Sequence, residues 1–390
     1  MKNSKKIKDA FNDPSIKVPF ILPQITNDDK KSINDALESP LLTDGPKLRQ
    51  FESAFAEFTG SKYAIGVSNG TSALQLSLKA LNIGKGDEVI IPDITFIATA
   101  SAVLLTGATP VLADVNCDDL NISLNSIKNN ITSKTKAILP VHFAGKICNM
   151  TEIKKIAHRH GLFIIEDCAH AIGTKKKNKH AGTFGDAGCF SFYPTKNFTT
   201  IEGGMVITNS KRIAKYVSTA RNHGITKSLQ QRFSRGRPWE YNVFDPGYNY
   251  RLDEIRSALG ISQLKKIKKM NLRRKKAFQY YNAKLHMCKG ITVPLLSHGE
   301  EHACHLYILK IQKEYHMLRN ELFLKLLRNG IRSSVHYKPL HEFSVCKKLA
   351  RWNDSLRNSK ELYKKIISLP FYSQISQIEQ DKVINCIKKL

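Results

Sequence analysis

The sequence predicts an α/β fold in which a large, doubly wound, mostly parallel sheet of seven strands precedes a smaller α+β domain. Two observations support this prediction. Strand-like and helix-like segments alternate up to about residue 250, which is the pattern of a parallel sheet covered by helices. One long basic helix and several shorter elements follow, so the C-terminal part has a different organisation.

The chain has 390 residues, of which 42% are apolar and 24% are charged. This composition is typical of a globular protein and excludes the disordered, collagen-like and coiled-coil classes. At roughly 100–200 residues per domain, the length allows two or three domains. We expect a basic tail over residues 1–18, a large domain over residues 19–252 and a small domain over residues 253–390.

Seven short runs rich in β-branched and aromatic residues predict the strands of the large sheet. Ligands of such sheets bind at the carboxyl ends of the strands, so functional residues are expected directly after them. The predicted strands are Tyr63–Val67, Glu88–Ile91, Pro110–Asp114, Ala137–Val141, Leu162–Ile165, Cys189–Phe192 and Met205–Thr208.

Helical patterns lie between the early strands and again after residue 250. The long segment Thr226–Pro246 has glycine and proline but no periodicity, and loops of that length are often functional. The predicted helices are Thr71–Leu81, Phe96–Leu105, Leu124–Asn130, Met150–His160, Asp253–Leu285, Arg319–Arg328 and Lys360–Ser368, with C-terminal strands at His305–Ile311 and Arg332–His336.

Lys and Arg number 61 against 33 Asp and Glu, which gives a formal net charge of +28. Dense basic runs occur at Lys2–Lys8, Lys175–Lys179 and Lys265–Lys276. None alternates with aromatic residues as a surface for stacking nucleic-acid bases does. We therefore expect no nucleic-acid partner, and interpret the charge as solvated surface or as cations that bind small anions.

The eight cysteines show no C-x-x-C spacing, so neither a zinc cage nor a disulfide framework is indicated and a reducing compartment is expected. The N-terminus lacks the apolar segment of a signal peptide. The most apolar stretch, residues 89–115, is interrupted by Pro92, Asp93 and Gly107. We expect a cytoplasmic protein without membrane segments.

Four motifs carry the chemistry. Ser68–Ala73 joins a strand to a helix, and is either an ordinary helix cap or a phosphate site built from backbone N–H groups and hydroxyls. Asp167 ends a strand and is either a turn residue or aimed at a ligand. Lys196 follows an aromatic strand, and a partly desolvated lysine can form an imine with an aldehyde. Gly203 and Gly204 mark a turn or a close backbone approach.

Together these motifs favour a site for pyridoxal 5′-phosphate (PLP) over their separate explanations. The lysine would hold the cofactor covalently and the helix start would hold its phosphate. The Asp167 carboxylate would keep the ring nitrogen protonated through a charge-assisted hydrogen bond, so that the ring withdraws electrons.

The chain also resembles the DegT/StrS-type nucleotide-sugar aminotransferases, which have the aspartate aminotransferase-like fold, PLP-dependent transferase fold type I. The resemblance covers nearly the whole chain from about Pro19. The segments that carry it are Leu42–Pro46, Ser68–Leu74, Gly86–Ile90, Gly107–Val111, Glu166–His170, Ser191–Lys196 and Gly247–Leu252.

The resemblance implies roles for individual residues around the cofactor. Lys196 would be the covalent lysine and proton carrier, and Asp167 would pair with the pyridine nitrogen. The remaining implied contacts are Thr71, Ser72 and Ser191 to the phosphate, Phe96 stacked on the ring, His170 near the phenolic oxygen, and Asn249 reaching the phosphate of a neighbouring subunit in a homodimer with shared active sites.

On the substrate side the resemblance implies contacts from Tyr193, His336 and Tyr337. Each implied residue has an ordinary structural alternative: Phe96 as core, Asn249 as a turn residue and His336 as a half-buried histidine. Lys338 and Arg235 are either diphosphate contacts or solvated cations.

The implied reaction transfers the amino group of L-glutamate to a keto group of a nucleotide-linked 4-keto-6-deoxy sugar for surface polysaccharide or glycan biosynthesis. The segments Thr199–Gly204 and Asn249–Arg251 resemble members that act at C4, and UDP and dTDP both remain open. Alternatives are a C3-acting aminotransferase, another reaction on the same sugars, or a PLP-binding regulator without turnover. Lys196 argues against the dehydratase branch, which has histidine there.

Overall fold

The computed structural model describes residues 15–227, 231–232, 239–243, 245–296 and 299–389. Lys2–Lys8, Arg235 and most of the basic tail therefore lie outside the described residues, as does part of the segment Thr226–Pro246. In the described part, no helix combines the length and hydropathy that crossing a membrane requires.

The predicted seven-stranded sheet is present, with the strand order β1-β9-β8-β5-β4-β2-β3. Neighbours pair in parallel from β8 to β3, whereas β9 runs antiparallel to both β1 and β8. Its members are almost entirely buried because helices cover both faces. They are β1 (Tyr63–Val67), β2 (Glu88–Pro92), β3 (Thr109–Ala113), β4 (Thr135–Ile138), β5 (Phe163–Asp167), β8 (Ala187–Ser191) and β9 (Gly204–Thr208).

Two small antiparallel sheets complete the strands. The first joins β6 (Lys175–Lys176), β7 (Lys179–His180) and β11 (Glu300–Glu301), so part of the basic run Lys175–Lys179 forms a hairpin. The second belongs to the C-terminal part and contains β10 (Ile291–Thr292), β12 (Ile308–Ile311) and β13 (Ile366–Ser368).

Twelve α-helices occur in the described residues. The predicted helices between strands are present within a few residues of their expected bounds. In chain order they are α1 (Asn27–Leu37), α2 (Pro46–Thr59), α3 (Gly70–Ala80), α4 (Ala98–Leu104), α5 (Leu124–Asn130), α6 (Met150–His160), α7 (Lys211–Ala220), α8 (Glu254–Leu285), α9 (Arg319–Arg328), α10 (Ser344–Leu349), α11 (Arg357–Lys365) and α12 (Gln377–Lys388).

The C-terminal predictions were partly wrong. The segment predicted as the helix Lys360–Ser368 is helical only to Lys365, because Ile366–Ser368 is fully buried and pairs with β12. β-branched residues favour such a buried strand. The predicted strand Arg332–His336 is reduced to a single bridge between Ser334 and Ser368. The other predicted strand begins at Ile308 and not at His305.

The large sheet separates two apolar clusters. One face packs on α2, α6 and α8 around Phe51, Phe55 and Phe190, and the other packs on α3, α4 and α7. A third cluster lies between α8, α9, α12 and the small antiparallel sheet of the C-terminal part. The boundaries at residues 18/19 and 252/253 stay predictions.

The long helix α8 is tied to the start of α2 by a buried carboxylate. Glu254 is fully buried, and its two oxygens accept the backbone N–H groups of Gly45, Lys47 and Leu48 at 2.7–3.0 Å. These are the N–H groups at a helix start that have no partner within the helix. The contact fixes α2 and α8 relative to each other beneath the sheet.

We expect Glu254→Ala to lower the free energy of unfolding by about 3 kcal/mol, because two buried N–H groups and one partly buried N–H group lose their acceptor. Chemical denaturation of the purified protein without added ligand measures this. Glu361→Ala is the control, since Glu361 is an exposed acid whose ion pair among the described residues is with Lys364, and its loss should change stability by less than about 0.5 kcal/mol. Equal stability of the two variants would contradict the role of Glu254.

Candidate active site

A cavity of about 700 Å³ lies at the carboxyl ends of β1, β5 and β8. This is the edge of the sheet where ligands of doubly wound folds bind. Its walls include Ser68 after β1, Asp167 at the end of β5, Ser191 at the end of β8, and His336 from the C-terminal part. Of the eleven residues predicted for the site, nine line the cavity: Thr71, Phe96, Asp167, His170, Ser191, Tyr193, Lys196, His336 and Tyr337.

Lys196 enters the cavity from a turn just beyond β8. The backbone N–H of Lys196 donates to the Tyr193 carbonyl at 2.9 Å and closes that turn. Among the described residues, no acceptor lies within hydrogen-bond distance of its Nζ. Burial lowers the pKa of Lys196 to about 8, although the negative charge of Asp167 opposes this shift.

Asp167 is buried and its two carboxylate oxygens have different partners. Oδ1 accepts the Ala169 N–H at 3.1 Å, and Oδ2 accepts the Thr99 hydroxyl at 3.1 Å. Thr95 Oγ1 lies 2.9 Å from Thr99 Oγ1 and completes the chain. Burial raises the pKa of Asp167, and the Ala169 N–H, the Lys196 charge and the Thr99 hydroxyl oppose this.

The turn between β1 and α3 forms another wall, where Gly70 and Thr71 line the cavity. Two glycines permit its close packing. A Cβ on Gly70 would lie 2.8 Å from the Cβ of Ser191, and a Cβ on Gly204 would lie 2.3 Å from the carbonyl oxygen of Asn69. The Gly203–Gly204 motif is thus the place where β9 passes this turn.

Two predicted residues do not line the cavity of their own chain. Ser72 is buried in the helix cap: its hydroxyl accepts the Asn69 N–H at 3.1 Å and donates to the Asn69 carbonyl at 2.8 Å. Of the two alternatives that the sequence allowed for this turn, a helix cap or a phosphate site, the side chain of Ser72 forms the helix cap. Asn249 is exposed on the surface and bridges to Asn222 through the backbone.

The proton positions around His170 follow from its partners. The Ala144 N–H donates to Nδ1 of His170 at 3.3 Å, so that nitrogen carries no proton. Burial, and then the charge of Lys196, holds the pKa of His170 well below its usual range, so the ring is neutral. Its Nε2–H therefore donates to the Tyr337 hydroxyl oxygen at 3.1 Å. The hydroxyl hydrogen of Tyr337 is left for an acceptor in the cavity.

A second buried histidine supports this one. The rings of His170 and His305 are 4.3 Å apart between centroids. The Asn197 amide donates to Asn271 Oδ1 and the Ala303 carbonyl at 2.8 and 2.7 Å, so its oxygen faces His305 Nδ1 at 2.9 Å and accepts that proton. These hydrogen bonds orient the rings of His170 and His305, and both rings are in the neutral form.

The other predicted side chains surround the cavity mouth. Phe96 is 56% exposed and Tyr193 is 48% exposed, so neither is a core residue. His336 stacks on Phe20 and its Nδ1 lies 2.8 Å from Ser368 Oγ. Burial lowers the pKa of His336 to about 3. Lys338 lies 3.8 Å from Glu342 in an i,i+4 ion pair.

A buried cluster supports β5 directly behind the cavity. Ligand atoms of His142, Glu166 and Cys168 lie within 4.8 Å of one another. Glu166 is already saturated: it lies 2.8 Å from His142 Nε2 and accepts three backbone N–H groups, from Gly182, Phe184 and Gly185, at 2.6–2.8 Å. These bonds hold the strand that ends in Asp167.

Several functional candidates were missed by sequence reasoning. Thr95, Thr99 and Arg256 line the cavity, and Asn197 supports His305 from behind. Thr99 contacts Asp167 across 68 positions, and His305 contacts Asn197 across 108 positions. Contacts between residues so far apart in sequence cannot be predicted from local residue spacing.

A model of the DegT/DnrJ/EryC1/StrS aminotransferase family matches residues 23–388. The chain belongs to this family. The aminotransferase is 38% identical over 376 residues to the spore coat polysaccharide biosynthesis protein SpsC of Bacillus subtilis, covering 96% of this chain and 97% of SpsC.

Solved structures agree with this assignment. The putative sugar aminotransferase Spr1654 from Streptococcus pneumoniae, in its PLP form, matches with a TM-score of 0.88 at 29% identity, covering 95% of this chain and 97% of the other. Helicobacter pylori PseC, an aminotransferase involved in pseudoaminic acid biosynthesis, matches with a TM-score of 0.88 at 32% identity, covering 95% and 98%. The predicted family and fold are confirmed, and the aminotransferase is PLP-dependent.

The residues of the cavity suit this cofactor. An amine with a lowered pKa and a buried carboxylate face the same space of about 700 Å³, which is within the usual range for cofactor pockets. The glycine-lined turn at Gly70 leaves backbone N–H groups at the start of α3 beside that space. The cavity therefore offers groups for an aldehyde, a ring nitrogen and a phosphate.

We expect the rate of covalent PLP capture by the PLP-free aminotransferase to rise with pH through about 8 and then to level. Only the neutral amine attacks an aldehyde, and burial lowers the pKa of Lys196 to about 8. Stopped-flow absorbance between about pH 6 and about pH 10 measures this rate. Lys196→Arg is the control and should show no covalent absorbance band. A rate still rising tenfold per pH unit between about pH 9 and about pH 10, as for a solvated lysine, would contradict the burial of this amine.

Thr99→Val should weaken PLP binding about 3- to 10-fold, because the Asp167 carboxylate loses a hydroxyl donor at 3.1 Å while side-chain volume is kept. Equilibrium titration of PLP measures the effect. Thr106→Val is matched to it, since Thr106 is buried just beyond α4 and its hydroxyl contacts local backbone, the Val103 carbonyl and the Ala108 N–H, and not Asp167. The same loss of PLP affinity in both variants would show that Thr99 has no specific role.

Proposed function

We propose that this aminotransferase transfers the amino group of L-glutamate to the C4 keto group of a UDP- or dTDP-linked 4-keto-6-deoxy sugar. The observation that carries the proposal is that Lys196 and Asp167 face one cavity in a member of an aminotransferase family. The names of similar proteins support a sugar acceptor and a role in polysaccharide biosynthesis, since SpsC is a spore coat polysaccharide biosynthesis protein and PseC is an aminotransferase involved in pseudoaminic acid biosynthesis.

In this proposal, the cofactor is held at three points by residues of the cavity. Lys196 forms the covalent link, and the Asp167 carboxylate pairs with the ring nitrogen. The phosphate binds at the start of α3 through Thr71 and Ser191, whose neighbours in the cavity wall are Gly70 and Ser68. Ser72, the third predicted phosphate contact, has both its hydroxyl and its backbone N–H bonded to Asn69 in the helix cap, so the proposal leaves the phosphate to Thr71 and Ser191.

PLP supplies an aldehyde for covalent attachment and a ring that withdraws electrons from the carbon next to the bound nitrogen. The protein supplies the proton carrier. With a pKa of about 8, roughly a tenth of the Lys196 amines are neutral at pH 7, against far fewer for an ordinary lysine. The Nζ atom can therefore both accept and return a proton during a cycle.

Asp167, His170 and Phe96 set the surroundings of the reacting atoms. Asp167 carries a negative charge that its bonds to Thr99 and Ala169 hold in place. Neutral His170 directs the Tyr337 hydroxyl hydrogen toward the cavity, where the phenolic oxygen of the cofactor or a substrate hydroxyl would accept it. Phe96, on the cavity wall and largely exposed, would stack on the ring.

Tyr193, His336 and Tyr337 line the outer part of the proposed substrate path. All three border the cavity, and the Phe96 and Tyr337 rings in its wall contact each other with centroids 5.8 Å apart. Burial raises the pKa of the Tyr337 hydroxyl, so this group acts as a neutral donor at physiological pH. Such a wall of aromatic rings and neutral donors suits the uncharged sugar ring of the acceptor.

We also propose a homodimer in which Asn249 of each protomer reaches the phosphate site of the other. Asn249 is exposed, and it does not line the cavity of its own chain. The residues Leu41, Leu42, Tyr241 and Val243 are each at least 44% exposed, although apolar side chains are normally buried. The aminotransferase would act in the cytoplasm, without nucleic-acid or membrane partners.

The test is a coupled assay of the PLP-loaded aminotransferase with L-glutamate and a panel of UDP- and dTDP-linked keto sugars. We expect 2-oxoglutarate and a 4-amino sugar, identified by mass spectrometry and NMR. Lys196→Ala should lower turnover by more than about 10³-fold, because the covalent link and the proton carrier are both lost. An amine at C3, or bleaching of the cofactor by glutamate without product from any keto sugar, would overturn the proposal.

A further inference from the structure

Both substrates of the proposed function are anions, yet the cavity has few cations to receive them. L-Glutamate carries carboxylates and a nucleotide sugar carries a diphosphate. Among the described lining residues, Arg256 is the only arginine and Lys196 the only lysine. Lys196 is assigned to covalent attachment in this proposal, so the described lining of this chain leaves Arg256 as the permanent cation for the anionic groups.

The guanidinium of Arg256 is held in a fixed orientation before any ligand binds. Arg256 lies in the first turn of α8, and its Nε donates to Asp253 Oδ2 at 2.6 Å. The same aspartate caps the helix, because its Oδ1 accepts the Arg256 N–H at 2.8 Å. Asp253 is therefore fixed by the helix and in turn fixes the plane of the guanidinium.

The terminal nitrogens of this guanidinium are unused. Within the described part of the chain, neither Nη1 nor Nη2 of Arg256 has a hydrogen-bond partner. The side chain is only 27% exposed. A half-buried guanidinium held at Nε presents its two Nη atoms as a fork, which matches the paired oxygens of a carboxylate or phosphate.

A carboxylate elsewhere in the cavity wall adds to the selection among ligands. Glu202 also lines the cavity, is exposed, and does not form an ion pair with Arg256 among the described residues. Two opposite charges lining one cavity favour a ligand with an anionic end that meets Arg256 and a neutral or cationic part that meets Glu202. An amino acid and a nucleotide-linked sugar both have such an uneven charge.

We propose that Arg256 binds the anionic oxygens of the substrates through Nη1 and Nη2, and so determines which donors and acceptors the cavity accepts. This inference rests on the proposed function. The shared chemistry is a pair of anionic oxygens, from the carboxylate of the donor or the diphosphate of the acceptor. The two halves of a ping-pong reaction separate these sources, because each half meets one substrate.

The experiment uses PLP-loaded Arg256→Gln and Arg256→Lys proteins. Stopped-flow absorbance follows bleaching of the cofactor against L-glutamate concentration, and then recovery of the glutamate-treated protein against the keto sugar that is turned over best. We expect the half-saturating concentration to rise about 10- to 100-fold in at least one half-reaction for Arg256→Gln, because bonds from a charged donor are lost. Arg256→Lys should restore the affinity in part, since it keeps the charge but not the fork.

Arg273→Gln is the matched control. It makes the same change on the same helix, at an exposed arginine outside the cavity. Thermal unfolding and the absorbance of bound PLP show whether each variant keeps its fold and cofactor. If the half-saturating concentration rises only in the glutamate half-reaction, Arg256 binds the carboxylate of the donor. If it rises only in the sugar half-reaction, Arg256 binds the diphosphate of the acceptor.

If the half-saturating concentration of Arg256→Gln is unchanged in both half-reactions while the unaltered aminotransferase responds to glutamate, this inference is overturned and the proposed function is not. An unaltered protein that does not respond to glutamate would instead refute the proposed function. Equal weakening by Arg273→Gln would also overturn the inference, since the effect would then reflect the net charge of α8.

Discussion

The site depends on two groups of opposite charge, Lys196 and Asp167, that are withdrawn from water into one cavity. Burial lowers the pKa of Lys196 to about 8 and raises the pKa of Asp167, while the attraction between the two opposes both shifts. The result is an amine whose charged and neutral forms are both populated near neutral pH. The shared burial of Lys196 and Asp167 therefore makes the lysine reactive, and the attraction between the two keeps the carboxylate charged.

This arrangement is maintained by layers of fully bonded polar groups. Thr99 and Ala169 hold the Asp167 carboxylate, and the preceding residue Glu166 anchors the same strand on its opposite side. Neutral His170 fixes Tyr337 from the other side of the cavity. A buried polar network of this kind specifies one geometry because each unsatisfied member would cost about 1–3 kcal/mol.

Much of the fold and the centre of the site were predictable because their signals are local. A strand, a short turn and a helix start place Thr71, Asp167 and Lys196 at one sheet edge. The surrounding contacts were not predictable, because the hydroxyl of Thr99 and the ring of His305 meet partners far away in sequence. Local periodicity also failed at Ile366–Ser368, where pairing with a distant strand overrides a helical pattern.

The most direct measurement reduces the PLP-loaded aminotransferase with borohydride, which makes the link between protein and cofactor permanent, and then locates the modified residue by peptide mass spectrometry. The account predicts that the label is on Lys196, because burial gives this lysine a pKa of about 8. A label spread over surface lysines, or placed on any other residue, would contradict it.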